Sequence, residues 1–216
     1  MAGVILNHDN LFVLADEIYE HINYVGRHES IAQFPGMKER SIIVNGVSKA
    51  YAMTGWRIGY IAAPEWIVKG CNKLQGQYTS GPCSVSQKAA EAAYTASQQC
   101  VEEMRQAFER RRDLIVALAR QIPGLEVNVP EGAFYLFPKC SSFYGCSANC
   151  ADGTTTRTIE NSTDLAMYLL EEAHVATVGG DAFGAPDCFR MSYATSDDNI
   201  REAMRRIGEA LARLKK

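Results

Sequence analysis

No apolar run in this sequence approaches the roughly 18 residues that cross a bilayer, so no membrane span is expected. Positive charge is not in excess either. The 22 Lys and Arg residues stand against 25 Asp and Glu, a formal net charge of −3. That balance lacks the electrostatic footprint of a protein that grips nucleic acid or an anionic membrane, and neither partner is expected. A small anionic substrate is still compatible, since it needs only one or two local cations. Met1–Asn10 has no basic segment followed by an apolar run, so no secretory signal is expected. The seven cysteines are odd in number and scattered. They fit the reduced thiols of a cytoplasmic protein better than a disulfide framework. Cys140, Cys146 and Cys150 share one segment, but their spacing is too wide for a zinc site and no fourth ligand stands near, so no metal is expected. The four histidines are scattered, and none pairs with a cysteine at ligand spacing. There is no internal repeat and no low-complexity tract.

What the chain does have is apolar content. Of 216 residues, 47% are hydrophobic and 22% charged, enough for one large domain or two small ones. Leu11–Ala15, Ser41–Asn45 and Arg57–Ala63 read as strands of a sheet buried on both faces. Glu65–Gln77 and Ser84–Ala96 read as helices. Ser97–Gln121 reads as a longer one, with Met104, Phe108, Leu114, Ile115 and Leu118 on its apolar stripe. Arg110, Arg111 and Arg112 read as its solvated face, and Pro123-Gly124 stops it. Leu125–Asn128, Ala133–Pro138, Val175–Val178 and Cys188–Tyr193 read as shorter strands. Ser141–Asn161 reads as loop. Ser162-Thr163-Asp164 reads as the cap of a helix to about Ala173. A last helix starts at Ser196 or Asp197, with Met204, Ile207 and Leu211 inward. The pattern is α/β first and α+β after, with the long helix as bridge. A buried strand as near the start as Leu11–Ala15 has little chain before it to cover it, so a preceding N-terminal part is expected.

Residues 46–60 concentrate the chemistry: Gly-Val-Ser-Lys-Ala-Tyr-Ala-Met-Thr-Gly-Trp-Arg-Ile-Gly-Tyr. Lys49 follows a strand, and Arg57 lies eight residues on, among glycines, entering the next strand. Strand ends in open α/β sheets are where ligands bind. A lysine partly desolvated there, near another cation, can form a Schiff base with an aldehyde. The arginine can clamp a phosphate.

Gly46 to Gly59 resembles the cofactor-attachment signature of the class I/II, fold type I, pyridoxal-phosphate (PLP) aminotransferases, and of their bacterial aspartate aminotransferase branch in particular. Asp16-Glu17-Ile18-Tyr19 resembles the family's Asp-x-x-Tyr element, and Phe189–Ala194 its strand bearing a substrate-binding arginine. The resemblance covers essentially the whole chain, yet complete members are roughly twice as long. It implies that residues 1–105 are the C-terminal part of the PLP-binding large domain, a buried and mostly parallel sheet with helices. Residues 106–216 are then an α+β small C-terminal domain. Lys49 is the implied attachment and catalytic residue. Asp16 would face the pyridine nitrogen, Tyr19 the phenolic oxygen, and Arg57 with Ser48 the phosphate. Arg190 would bind the substrate's α-carboxylate. Asp181–Pro186 would shape the substrate pocket. One departure is Gly46, where many relatives carry a phosphate-binding hydroxyl. The implied reaction moves an amino group between an amino acid and a 2-oxo acid, aspartate and 2-oxoglutarate being the expected pair, in a homodimer when complete. A PLP-dependent lyase of the same fold, or an inactive folded fragment, are the alternatives.

Overall fold

The computed structural model describes residues 1–149, 154 and 156–216. The chain divides into two compact units, Met1–Arg105 and Gln106–Lys216. In the first, a short helix α1 (Ala2–Leu6) precedes β1 (Val13–Asp16), β2 (Ser41–Gly46) and β3 (Gly59–Ala62). Helices α2 (Glu65–Tyr78) and α3 (Ser84–Thr95) follow, and α4 (Gln99–Ala119) runs on into the second unit. β1 pairs parallel with β2, from Val13↔Ser41 to Asp16↔Val44. β2 pairs antiparallel with β3, from Ile43↔Ala62 to Gly46↔Gly59. Arg40 ties the entry of β2 to the approach of β1. Its Nη1 donates to the carbonyls of His8, Asp9 and Leu11, and its guanidinium lies over the Phe12 ring at 5.5 Å.

The expected buried, mostly parallel sheet is corrected here. The sheet is mixed, with one parallel and one antiparallel pairing, and only the central strand β2 is well covered. Leu14 on β1 is 69% exposed and Tyr60 on β3 is 46% exposed. The cause is the surroundings of the strands rather than their sequence. β1 and β3 are both edges, α2 has no buried residue, and α3 buries only Ser86. The apolar runs are those of a two-sided sheet, but within this unit few described residues cover their outer faces.

The second unit has a conventional core. β4 (Tyr135–Leu136), β8 (Phe189–Ser192) and β7 (Val178–Gly179) form an antiparallel sheet in that order. β5 (Ser147–Asn149) and β6 (Thr156–Thr158) form a hairpin, and α5 (Ser162–Ala173) and α6 (Asp197–Ala212) pack together. Leu136, Ile159, Leu165, Leu169, Phe189 and Ile207 are fully buried. Burying each such side chain contributes roughly 1.5–3 kcal/mol. Tyr168 is also fully buried, and its hydroxyl donates to the Ala210 carbonyl at 2.9 Å, joining α5 to α6. The inward face of α6 carries Ile200, Met204, Ile207, Ala210 and Leu211, which contains the three residues expected there.

Four further expectations are corrected. Leu125–Asn128 is not a strand: Glu126 makes a single bridge to Lys139. Ser141–Asn161 is not all loop, since it holds a 3-10 turn at Ser141–Phe143 and the hairpin β5–β6, which Lys215 extends by pairing with Ser147. The α5 cap is Asn161, whose side chain accepts from the Thr163 and Asp164 amides. Arg112 is not on a solvated face. It is buried among the inward residues Phe108, Ile115, Val116 and Ala119 of α4. It bonds the Asp113 carboxylate at 2.7 Å and the Pro130 carbonyl at 3.0 Å, partners that a buried guanidinium requires.

Candidate active site

The parallel pairing of β1 with β2 brings both C-terminal ends to one edge of the sheet. Asp16 closes β1, and its carboxylate accepts from the Ile18 amide at 3.2 Å in an Asx turn. The Glu17 amide continues the ladder to the Val44 carbonyl at 2.9 Å. Tyr19 follows in that turn. β2 ends at Gly46; Ser48 follows, and Lys49 opens a turn closed by the Ala52 amide on its carbonyl. The Lys49 ammonium lies over the Tyr19 ring, 5.7 Å from its centroid. The antiparallel partner β3 starts at the same edge, with Arg57 just before it.

Two features hold this edge in shape. Gly46 faces Gly59 so closely that a Cβ at Gly46 would sit 2.9 Å from the Gly59 Cα and 2.9 Å from the Ile58 carbonyl. Only glycine tolerates that approach. Arg57 takes a left-handed backbone, φ 53°, and its Nη1 donates to the Thr54 carbonyl at 2.8 Å. Such a conformation is uncommon outside glycine and costs of order 1 kcal/mol. It ends the 3-10 turn Thr54–Trp56 and sets the direction in which Arg57 leaves the loop.

Asp16, Tyr19, Ser48, Lys49 and Arg57 are thus gathered at one sheet edge of the first unit, while Arg190 belongs to β8 of the second. A carboxylate, a phenol, a hydroxyl, an amine and a guanidinium at one edge, beside backbone with no room for a Cβ, suit in kind a phosphorylated heteroaromatic aldehyde such as PLP.

Sequence reasoning missed several groups nearby. Glu17 is buried and accepts from Ser30 Oγ at 2.7 Å, with His28 Nε2 at 2.9 Å from its other oxygen. This pins residues 28–30 to the end of β1. Glu17, Glu20 and His28 form a group of described residues whose potential metal-ligand atoms lie within 4.8 Å of one another. His21 lies 3.1 Å from Glu20 and packs edge-on against Tyr51. Tyr51, Tyr94 and Tyr60 form a chain of edge-to-face rings, with the Tyr51 hydroxyl donating to Gln98 at 2.7 Å. Burial pushes the Tyr51 and Tyr94 phenols up, and neighbouring acids and phenols push the same way. Both stay neutral near pH 7. No local sequence pattern marks these contacts, since most join residues far apart in the chain. Cys140 and Cys146 are buried and free; Cys150 lies outside the described residues. No helix among the described residues is long and apolar enough to cross a membrane.

Residues 2–207 match the protein family described as aminotransferase class I and II. The chain is 47% identical over 219 residues to the bifunctional aspartate aminotransferase and glutamate/aspartate-prephenate aminotransferase of Petunia hybrida, covering 100% of this chain and 45% of that protein. The crystal structure of the aspartate aminotransferase from Rhizobium meliloti superposes with a TM-score of 0.91 at 46% identity, over 99% of this chain and 52% of that one. An aromatic aminotransferase from Pyrococcus horikoshii OT3 superposes at 0.84 with 40% identity, over 98% and 53%. The chain therefore spans about half the length of the relatives it matches.

Proposed function

The chain belongs to the class I and II aminotransferase family, and from that premise we propose that it carries the cofactor-anchoring half of a PLP-dependent aminotransferase site. Lys49 lying over Tyr19, beside the end of β1 that bears Asp16, is the observation that carries the reading. When bound, PLP supplies the electron sink that stabilises negative charge at the substrate Cα. Lys49 would anchor the cofactor, and its released amine would act as the positioned base that takes the Cα proton. Asp16 would keep the pyridine nitrogen protonated. Tyr19 would donate to the phenolic oxygen. Arg57 would hold the phosphate in a bidentate grip, with Ser48 contributing a hydroxyl. Arg190 would bind the α-carboxylate through its planar fork, which fixes the orientation of the Cα–H bond.

The proposed substrates are an amino acid and a 2-oxo acid, aspartate and 2-oxoglutarate, in keeping with relatives named for aspartate. The relatives are named for amino transfer, so a lyase of the same fold is not favoured. We assign residues 1–105 to the C-terminal part of the PLP-binding large domain and residues 106–216 to the small domain. The division into two compact units supports this assignment. The complete protein is proposed to be a cytoplasmic homodimer. The test is to add PLP to the 216-residue chain, reduce with borohydride and map the modified peptide. Fixation on Lys49, lost in Lys49→Ala, is expected. Equal fixation elsewhere in that variant sinks the assignment.

A further inference from the structure

Arg190 sits in an aromatic setting. Its guanidinium carbon lies over two rings, 4.3 Å from the centroid of Tyr135 and 4.3 Å from that of Phe183. Among the described residues, no carboxylate pairs with it. The register explains the first ring. Tyr135 faces Ser192 across β4 and β8, so Tyr135, Ser192 and Arg190 share one side of the sheet, while Leu136, Phe189 and Met191 fill the core on the other. The second ring is brought by the 3-10 turn Gly180–Phe183. Phe137 backs Phe183 edge-on at 5.8 Å, and Phe134 backs Tyr135 at 4.8 Å.

The turn that delivers Phe183 is tied down. The Gly180 amide lies 2.8 Å from the Cys188 carbonyl and 3.0 Å from Ser162 Oγ, and the Asp181 carboxylate accepts from Ser162 at 3.2 Å. A Cβ at Gly180 would lie 2.0 Å from the Ala185 carbonyl oxygen. The turn is therefore built to this shape rather than adopted by chance.

We infer that Tyr135 and Phe183 are positioning residues, which hold the Arg190 guanidinium by its faces and leave its N–H edges to receive a carboxylate. The inference rests on the reading of Arg190 as the carboxylate binder. Ring faces attract a guanidinium without using its in-plane donors, whereas a carboxylate partner would occupy them. Holding the side chain in advance also spares the ordering cost that a flexible arginine incurs when it binds.

The experiment follows the Arg190 Nε–Hε signal by NMR in the 216-residue chain, assigned with Arg190→Lys, during titration with succinate. The rotation rate about the Nε–Cζ bond is read from the same samples. Saturable shifts are expected in the unaltered chain. In Phe183→Leu and Tyr135→Leu, a faster rotation and a roughly two- to tenfold rise in Kd are expected, the range set by losing one pre-ordered side chain. Tyr135→Phe should restore both. Phe183 is 46% exposed, so its replacement by leucine leaves the core untouched. Saturable binding with unchanged Kd and rotation in both leucine variants overturns the positioning inference and leaves the carboxylate reading intact. No saturable shift in the unaltered chain overturns the carboxylate reading itself, and the inference falls with it.

Discussion

Replacing Gly46 by serine would supply the phosphate-binding hydroxyl that the family resemblance implies three residues before the lysine, and on sequence grounds it should improve cofactor capture. The geometry predicts the reverse. The new Cβ would meet backbone on the opposite strand, the Gly59 Cα and the Ile58 carbonyl, each at 2.9 Å. Neither atom can swing aside, so β2 and β3 must part locally. Overpacking of this kind costs about 1–3 kcal/mol. With ~2 kcal/mol lost and a urea slope of ~2 kcal/mol per molar, the unfolding midpoint falls by about 1 M. Both tryptophans of the chain, Trp56 and Trp66, belong to the first unit, so fluorescence reports on its unfolding. Lys49 and Arg57 flank the displaced pair, so borohydride-trapped PLP on Lys49 should also fall. Gly46→Ala separates the two effects: it should lose the same stability without offering a hydroxyl. A midpoint unmoved in Gly46→Ser, together with higher PLP fixation, would refute the reasoning.

Leu14, Trp66 and Tyr60 are large apolar side chains exposed on the first unit, at 69%, 64% and 46%. Leu14 and Tyr60 lie on the edge strands β1 and β3 and Trp66 on α2, and exposed apolar surface of this kind promotes association. Concentration-dependent association is therefore expected in sedimentation velocity, and Leu14→Lys should weaken it while leaving Lys49 reactive toward PLP. Hydrogen bonds and charge from Arg205 and Arg206 hold the Glu202 carboxyl down at about 2, from an ordinary 4.5. A depressed carboxylate stabilises above its unfolded pKa and loses that contribution as pH falls through the folded one. The difference in thermal midpoint between the unaltered chain and Glu202→Gln should thus be present at pH 7 and fade between about 4.5 and about 2. Backbone amides of Ser86 and Val85 lower the exposed Cys83 thiol at the start of α3, whereas burial pushes Cys140 up to about 11. Iodoacetamide mapping at pH 7 should label Cys83 early and spare Cys140; the opposite order would contradict both environments.

The helices were legible because they are long and periodic. α2, α3, α4 and α6 all lie within a few residues of where their apolar spacing puts them. The hairpin β5–β6 was not legible. Its described strands, Ser-Ala-Asn and Thr-Arg-Thr, carry no apolar alternation, and much of their pairing is through backbone and hydroxyls, as in Ser147 to Thr158 at 2.8 Å. Arg112 was misread because charge alone suggests solvent, while its Pro130 and Asp113 partners emerge only once the chain folds. At the candidate site, the Lys49 segment and Asp16–Tyr19 stood out because they resemble the family's motifs in residue type and spacing; by themselves they would read as strand-end turns. The contacts of Phe183 and Tyr135 with Arg190 did not, since they join residues far apart in the chain, and no local pattern marks which ring meets which cation.

The Ser162 hydroxyl, donating to the Asp181 carboxylate and accepting from the Gly180 amide, places the start of α5 and the Phe183 turn on one fastening. Helix ends fray before helix centres. On warming, the first turn of α5 should loosen while β8 and the core behind it remain intact. The proposed grip of Arg190 on a carboxylate would then fade at a temperature below the one at which the unit melts, and a melting curve taken alone would overstate the range over which that binding persists.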